Sequence, residues 1–550
     1  MSEPAAPPLR TWRPMAAWTA GILLALGLAW FVGAVVVPVW RTREIVLGCE
    51  ERYGDAWDKT CPDAVALLGG SERAARHLAI YVRIPDRLAP GKYEAFGILA
   101  SCGRPAAPVL AENLRRSEKD RRTWAAKALC RLGADSEKAV PELTRALDDP
   151  ELRGMAAEAL SMTESGHMAA VPVFVDRLSD REAGHYASMT LARMARENPS
   201  IAQRLLEEFH SPAPHVRAGV STAFGAAGGD CGLAAVPAMV RALDDPESMV
   251  RSAAAEGLAR LGPAASAAVP RLAKALMEDK HDWTRRNCAA ALGLVGDLRG
   301  RDALASALKD PFNDVRGAAV EAIARLGGPQ APATLMPALK DASPSVRLAA
   351  VRSLGSLKAR TSARAIVGML RDENHEISSS AVYALGQIGD PDTAEALAEV
   401  AKSEKSTMRS LAATALGEIE SPRVVEPLIG LLSDPDSATR HYAARSLGKT
   451  KDPRAIAPLI GVIRSVDGTG RYEASMALGQ IGDSAVDPLL VALKDDAPEV
   501  RVAAARALGM TGSRRAIAPL EAALNDRQGW SIREVATEAL KKIRGEESKP

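Results

Sequence analysis

The chain has 550 residues, enough for several ordinary domains or one elongated array. Hydrophobic residues make up 47% and aromatics only 4%, so the core must be built from alanine, leucine, valine and isoleucine, which suits closely packed helices better than a β-sandwich. The balance of 70 basic against 68 acidic residues, a formal charge of +2, argues against a nucleic-acid binder, and six scattered cysteines without a CxxC pair argue against a disulfide framework or a thiolate zinc cluster.

The first predicted element follows a short tail, residues 1–14. Residues 15–40, MAAWTAGILLALGLAWFVGAVVVPVW, carry no charge. At ~1.5 Å per residue this stretch spans ~39 Å as a helix, against a hydrocarbon core of ~30 Å. Trp12, Trp18 and Trp40 fall near its two ends, where an indole favours the membrane interface, and Arg10, Arg13, Arg41 and Arg43 bracket it. The apolar run is too long for a signal-peptide core, so the expectation is one uncleaved transmembrane helix. A count of nearby basic residues, two before and four after, puts the bulk of the chain in the cytoplasm. A short basic tail before a long domain, together with Cys49 and Cys61 as a possible disulfide pair, favours the extracytoplasmic, periplasmic side instead. Residues 41–88 read as a juxtamembrane segment ending in a degenerate cap.

From residue 89 to residue 545 the chain repeats itself, and a five-residue tail, 546–550, closes it. ALGQIGD recurs at 384–390 and 477–483, and RALDDPE at 145–151 and 241–247. Fifteen anchors, spaced 30 to 34 residues apart, open similar stretches: Lys92, Arg122, Arg153, Gly184, Arg217, Arg251, Arg285, Arg316, Arg347, Ser378, Arg409, Arg440, Arg471, Arg501 and Arg533. Three residues after the anchor stands alanine in thirteen repeats, with Val220 and Cys288 as exceptions. Seven after it stands leucine in thirteen, with Phe224 and Ile323 in the others. Such spacing makes one apolar stripe of an amphipathic helix. In the repeat opening at Arg471, Gly479 and Gly482 are expected to close that helix.

The other half of each repeat, such as AVDPLLVALKDDAP at 485–498, reads as a first helix with proline in its opening turns (Pro141, Pro237, Pro270, Pro458, Pro488, Pro519). GAAGGDCGLAAVP at 225–237 reads as a longer, glycine-rich loop. Each repeat is thus a helical hairpin that buries its stripe only by stacking on neighbours, which makes the fold class all-α, an α-solenoid. The second-helix pattern [VI]R-x-x-A-A-x-A-L-G-x-[IL]-G resembles HEAT repeats, and its length is similar to the compact bacterial variety of the phycobilin-lyase-type proteins. The resemblance implies a right-handed superhelix whose second helices line a concave, partner-binding face.

Chemistry is sparse. RYEA at 471–474 and KYEA at 92–95 have tyrosine where a HEAT-like di-iron hydroxylase has histidine. No P-loop, HExxH or GxSxG occurs, so no catalytic residue, cofactor or metal is assigned. The twelve anchor arginines are expected to bridge to turn carboxylates and carbonyls of their own or a neighbouring repeat; the alternative is a cationic strip gripping an acidic partner. The residues one and two places after the anchors vary more: Tyr93, Trp124, His185, Tyr186, His441, Tyr442, Tyr472 and Glu473. In a chain poor in aromatics these are the candidate partner-binding positions, the alternative being that they pack between repeats. The function expected is a membrane-anchored scaffold or adaptor for other proteins; a lyase- or chaperone-like helper for a chromophore or cofactor is the alternative.

Overall fold

The computed structural model describes Val65 and residues 70–81, 92–116, 118–180, 183–465, 470–525 and 530–545. The apolar stretch 15–40, Cys49, Cys61 and the tail 546–550 lie outside the described residues. Among the described residues there is no strand, and no helix is long and apolar enough to cross a membrane. They form two compact units, one ending at Ala238 and the other beginning at Met239. The first holds the repeats anchored from Lys92 to Arg217, the second those from Arg251 to Arg533.

Each of the fifteen anchors lies in a second helix, from Lys92–Ala100 through Asp282–Val295 and Arg471–Ile481 to Trp530–Arg544. The periodic stripe explains why these helices stack. All fifteen residues three places after the anchor are fully buried, and those seven places after it are at most 4% exposed. Ahead of the first repeat, the helix Ser71–Tyr81 buries Ala74, Ala75 and Leu78 and packs on Lys92–Ala100.

The first helices are short and often open with a 3-10 turn capped by an aspartate. Asp297, Asp390 and Asp452 each accept from the backbone N–H two residues on. Pro141 and Pro270 stand in the first turn, and Pro458, Pro488 and Pro519 at the third helical position, where no intrahelical N–H is lost. Two expectations need correction together. Pro237 lies inside the helix Gly229–Ala242, and the stretch 225–237 is no long loop. The preceding second helix, Pro214–Ala227, runs into it through Gly228 alone. Left-handed glycines at Gly228 and Gly229, with φ of 63° and 51°, turn the chain within two residues. The glycine richness makes a tight turn, and alanine and leucine then continue the helix.

Gly479 also departs from its expected role. The helix Arg471–Ile481 runs through it and ends at Gly482, whose φ of 87° only glycine adopts readily. Gly479 is instead a close-approach residue, since a Cβ there would lie 2.5 Å from Met510 Cβ and 3.2 Å from the Ala507 carbonyl oxygen. The same device recurs eight places after several other anchors of the second compact unit. A Cβ at Gly293 would meet Ala322 Cα at 2.6 Å, at Gly448 it would meet Ala477 Cα at 2.8 Å, and at Gly509 Ala539 Cα at 2.7 Å. Each glycine thus seats the small residue of the next second helix, six places after its anchor. Ala474 sits in the adjoining buried stripe. Replacing it with leucine is expected to overpack that seam and destabilise the array by about 1–3 kcal/mol, read as a lowered melting temperature. An unchanged melt would mean the stripe is not a packed seam.

The anchor arginines tie consecutive repeats together. Arg251 bonds the Asp279 carboxylate through Nε and Nη2 at 2.6 and 2.9 Å. The Asp279 backbone carbonyl accepts from Arg285 Nη1 at 2.9 Å. Arg285 in turn grips Asp310, Arg316 grips Asp341 and Arg347 grips Asp372, each bidentately. Each aspartate also accepts from the backbone N–H two residues on, which fixes the turn before the next second helix. Arg409 and Asp434 repeat the pattern further along. The side chains of these five pairs are 5–15% exposed, so the arginines are tie bars and not a free cationic strip. Where the anchor is Ser378, the residue 25 places on is Ser403, so both halves of the pair are absent together.

These pairs make the array acid-sensitive. Burial is the largest single influence on the carboxyl pKa of Asp279 and Asp310 and raises it, but the arginine hydrogen bonds, the backbone N–H of His281 or Phe312 and the arginine charge together outweigh it and hold both below the ordinary value of 3.8. At Asp341, Asp372 and Asp434 the arginine hydrogen bond is the largest influence and lowers each carboxyl. A carboxylate lowered in the folded state contributes stability that is complete above its unfolded pKa and lost as pH falls through the folded value. Melting temperature should therefore be level above about pH 5 and fall steeply below about pH 4. A variant with Asp310→Asn should fall less steeply, and parallel curves would contradict the ladder's role.

Candidate partner-binding face

At 3.6 residues per turn, positions three and seven after the anchor point into the core. Positions five and nine then point nearly opposite, with one and two flanking them. This outer strip of the second helices is where variable side chains are displayed.

In the second compact unit the strip brings together four of the sequence-predicted residues on two adjacent repeats. His441 Nδ1 lies 3.0 Å from Glu473 Oε1, and the His441 and Tyr442 rings meet edge-on with centroids 5.2 Å apart. Tyr442 is 37% exposed and Tyr472 53%. The Arg506 guanidinium, from the following repeat, stands 5.2 Å from the Tyr472 ring centroid. One imidazole and one carboxylate make a hydrogen bond and not a metal site, and among the described residues no group of three potential ligands gathers.

In the first compact unit His185 and Tyr186 are exposed on the helix Gly184–Glu197. The Tyr186 hydroxyl donates to Glu158 Oε1 of the preceding repeat at 3.3 Å. Partial burial, then the neighbouring Glu158 charge, pushes its phenol pKa up. Trp124 is half-buried, with Lys127 Nζ 4.8 Å from its ring centroid. Tyr93 lies in the helix Lys92–Ala100, but its side chain is outside the described residues. The alternative that all these aromatics pack between repeats does not describe Tyr186, Tyr442 or Tyr472.

Three exposed aromatics went unmarked in the sequence. Tyr383, 60% exposed, stands five places after its anchor, in the outermost column of the strip. It borders a cleft of about 560 Å³ floored by Gly386 and Gly389 and walled by Lys358, Arg360, Glu418 and Glu420. Trp283 carries Arg286 over its ring at 4.7 Å, and Phe312 carries Arg285 at 5.5 Å. Counting around the helix to position five would have found Tyr383. Trp283 and Phe312 precede their anchors, outside the strip on which the pattern focuses attention.

Among the described cysteines, the two most deeply buried, Cys102 and Cys288, serve packing. Cys288 fills an alanine position, and burial pushes its thiol pKa up; burial likewise raises that of Cys130, to about 12. Cys102, Cys130, Cys231 and Cys288 are free thiols.

Two karyopherin structures share this fold. The chain is similar to Kap95p, in a structure on the switch loops of RanGDP, with a TM-score of 0.55 and 14% identity over 88% of this chain and 77% of that one. It is similar to Kap121p bound to the extreme C-terminus of the protein phosphatase Cdc14p, with a TM-score of 0.55 and 11% identity over 98% of this chain and 74% of that one. At such identities the likeness shows an α-solenoid fold and no more. No curated protein matches the chain significantly. The sequence profile of HEAT repeats, however, matches at residues 94–194, 199–274, 269–341, 332–412, 394–468 and 462–541. With that profile tiling nearly the whole array, and the same buried register in every repeat, the chain belongs to the HEAT-repeat family.

Proposed function

We propose that the chain is a scaffold that binds protein partners along the outer strip of its second helices and is tethered to a membrane by residues 15–40. The observation that carries this reading is the placement of Tyr383, Tyr442 and Tyr472. A chain with only seven tyrosines exposes three of them on one strip of one compact unit. Exposed tyrosines give large, rigid contact area with a polar tip, which suits protein interfaces. The karyopherin structures support the reading, one holding Kap121p with a peptide terminus and the other concerning Kap95p and RanGDP. A right-handed superhelix would turn that strip toward a concave interior, and binding at several repeats would sum modest contacts into useful affinity. The charge-free stretch 15–40 supports the anchor. The short basic tail before it supports an extracytoplasmic array. The work of the protein on this reading is contact and not catalysis.

Proximity labelling from a tag at Pro550 in intact cells tests partner and compartment together. A set of labelled proteins lost on replacing Tyr442 and Tyr472 with alanine, at unchanged protein level, is the expected result. A set that survives both changes would count against this strip.

A further inference from the structure

We infer that the partner segment lying on this strip is an extended acidic peptide whose carboxylates reach Arg445 and Arg506 while its chain passes over Tyr442 and Tyr472. The inference rests on the scaffold reading and goes further by fixing the partner's charge, conformation and spacing.

The outermost column, five places after the anchor, reads Arg352, Tyr383, Thr414, Arg445, Met476 and Arg506 across six consecutive repeats. No carboxylate stands in it, whereas the column carries Glu256 and Glu321 earlier and Glu538 after it. Three acidic side chains beside these six repeats are paired. Glu376 pairs with Arg352 at 2.8 Å, Glu418 with Lys449, and Glu473 with His441 at 3.0 Å. Arg445 is exposed, and Arg506 lies over the Tyr472 ring, an arrangement that leaves guanidinium edge donors for a bidentate carboxylate. The strip therefore offers cations flanked by aromatic rings, the complement of carboxylates on a chain with some apolar surface. A basic segment would find no carboxylate in that column.

Geometry sets the conformation. Neighbouring second helices lie about 8–10 Å apart, so Arg445 and Arg506, two repeats apart, are separated by roughly 16–20 Å. An extended chain advancing about 3.3 Å per residue covers that in roughly six residues, and residues six apart point to the same side. A helical partner, at about 1.5 Å per residue, would need roughly twelve.

The test is fluorescence anisotropy with the full chain in detergent and labelled Gly/Ser peptides of about 15 residues. One peptide carries glutamates six residues apart, one the same glutamates in a single block, and one lysines in place of the spaced glutamates. The spaced acidic peptide should bind best and lose affinity with rising salt. Arg445→Glu with Arg506→Glu should weaken it at least about tenfold while the melting temperature holds. Arg445→Gln alone, at a more exposed site, should give a smaller loss in the same direction. Equal binding of the lysine peptide, no binding of either acidic peptide, equal binding of the spaced and blocked glutamates, or indifference to both charge changes would overturn the inference. The scaffold reading fails differently. A crosslinker at Tyr442 that captures a partner through a neutral or basic segment defeats the acidic-peptide inference alone, and one that captures nothing defeats the scaffold.

Discussion

Arg285→Ala should lower the stability of the repeats around it by about 3 kcal/mol, a large effect for one residue. Arg285 and Asp310 are 9% and 8% exposed, so the change strands a carboxylate in a poorly solvated site. It also removes the donor to the Asp279 carbonyl, loosening the turn that opens its own second helix. Hydrogen bonds to charged groups are worth about 1.5–3 kcal/mol and broken buried pairs about 3–5 kcal/mol, and slight exposure places the outcome between them. Because repeats couple mainly to their neighbours, the loss should be local. Amide exchange in residues 282–326 should quicken by roughly a hundredfold, which about 3 kcal/mol implies, while residues 471–511 stay protected. The double change with Asp310→Asn should cost less than the sum of the two singles, the mark of a direct pair. Arg445→Ala, on the exposed strip, should alter stability by less than about 0.5 kcal/mol. Equal effects at Arg285 and Arg445 would contradict the distinction between tie bars and binding surface.

Gly293→Ala should destabilise the protein by about 1–3 kcal/mol, against the usual sign for glycine in a helix. Alanine is favoured over glycine in a helix interior by about 1 kcal/mol, so an open site would gain stability. At Gly293 the added methyl would stand 2.6 Å from Ala322 Cα and 2.7 Å from its Cβ, contacts relieved only by separating two helices. Gly317, in the helix of the next repeat, has nothing within 4 Å of the same position. Gly317→Ala should therefore stabilise by up to about 1 kcal/mol. Chemical melts of both variants read the two signs directly. A stabilised Gly293→Ala would show that the glycine is merely tolerated and that the helices have room to spare.

The repeat register was legible because it is written fifteen times. The alanine and leucine positions form a stripe that a single helix would leave ambiguous, and repetition removes the ambiguity. The role of Gly479 was not legible in the same way. Glycine near the end of a helical pattern reads as a cap, and only the backbone of Ala507 on the next repeat shows that it is a contact. The stretch 225–237 misled for a related reason, since Gly228 and Gly229 make a tight turn and the residues on either side belong to two helices. For the ladder, the arginines and aspartates were visible, but their pairing across 25 residues needs the stacking of repeats to bring them together. The candidate face was half legible. Tyr442 and Tyr472 stood out by composition, while Tyr383 needed the helix to be read around its circumference, and the Arg506 platform under Tyr472 depends on the neighbouring repeat.

A photo-crosslinking amino acid placed at Tyr472 on the strip, and in a separate variant at Val491 on the first helix Val486–Ala492, tests the central claim most directly in intact cells. Both sites are more than half exposed, at 53% and 64%, so accessibility does not separate them. The account predicts a discrete partner adduct from residue 472, abolished by Tyr442→Ala, and none from residue 491. Adducts from 491 with none from 472 would place the binding surface on the first helices and contradict it.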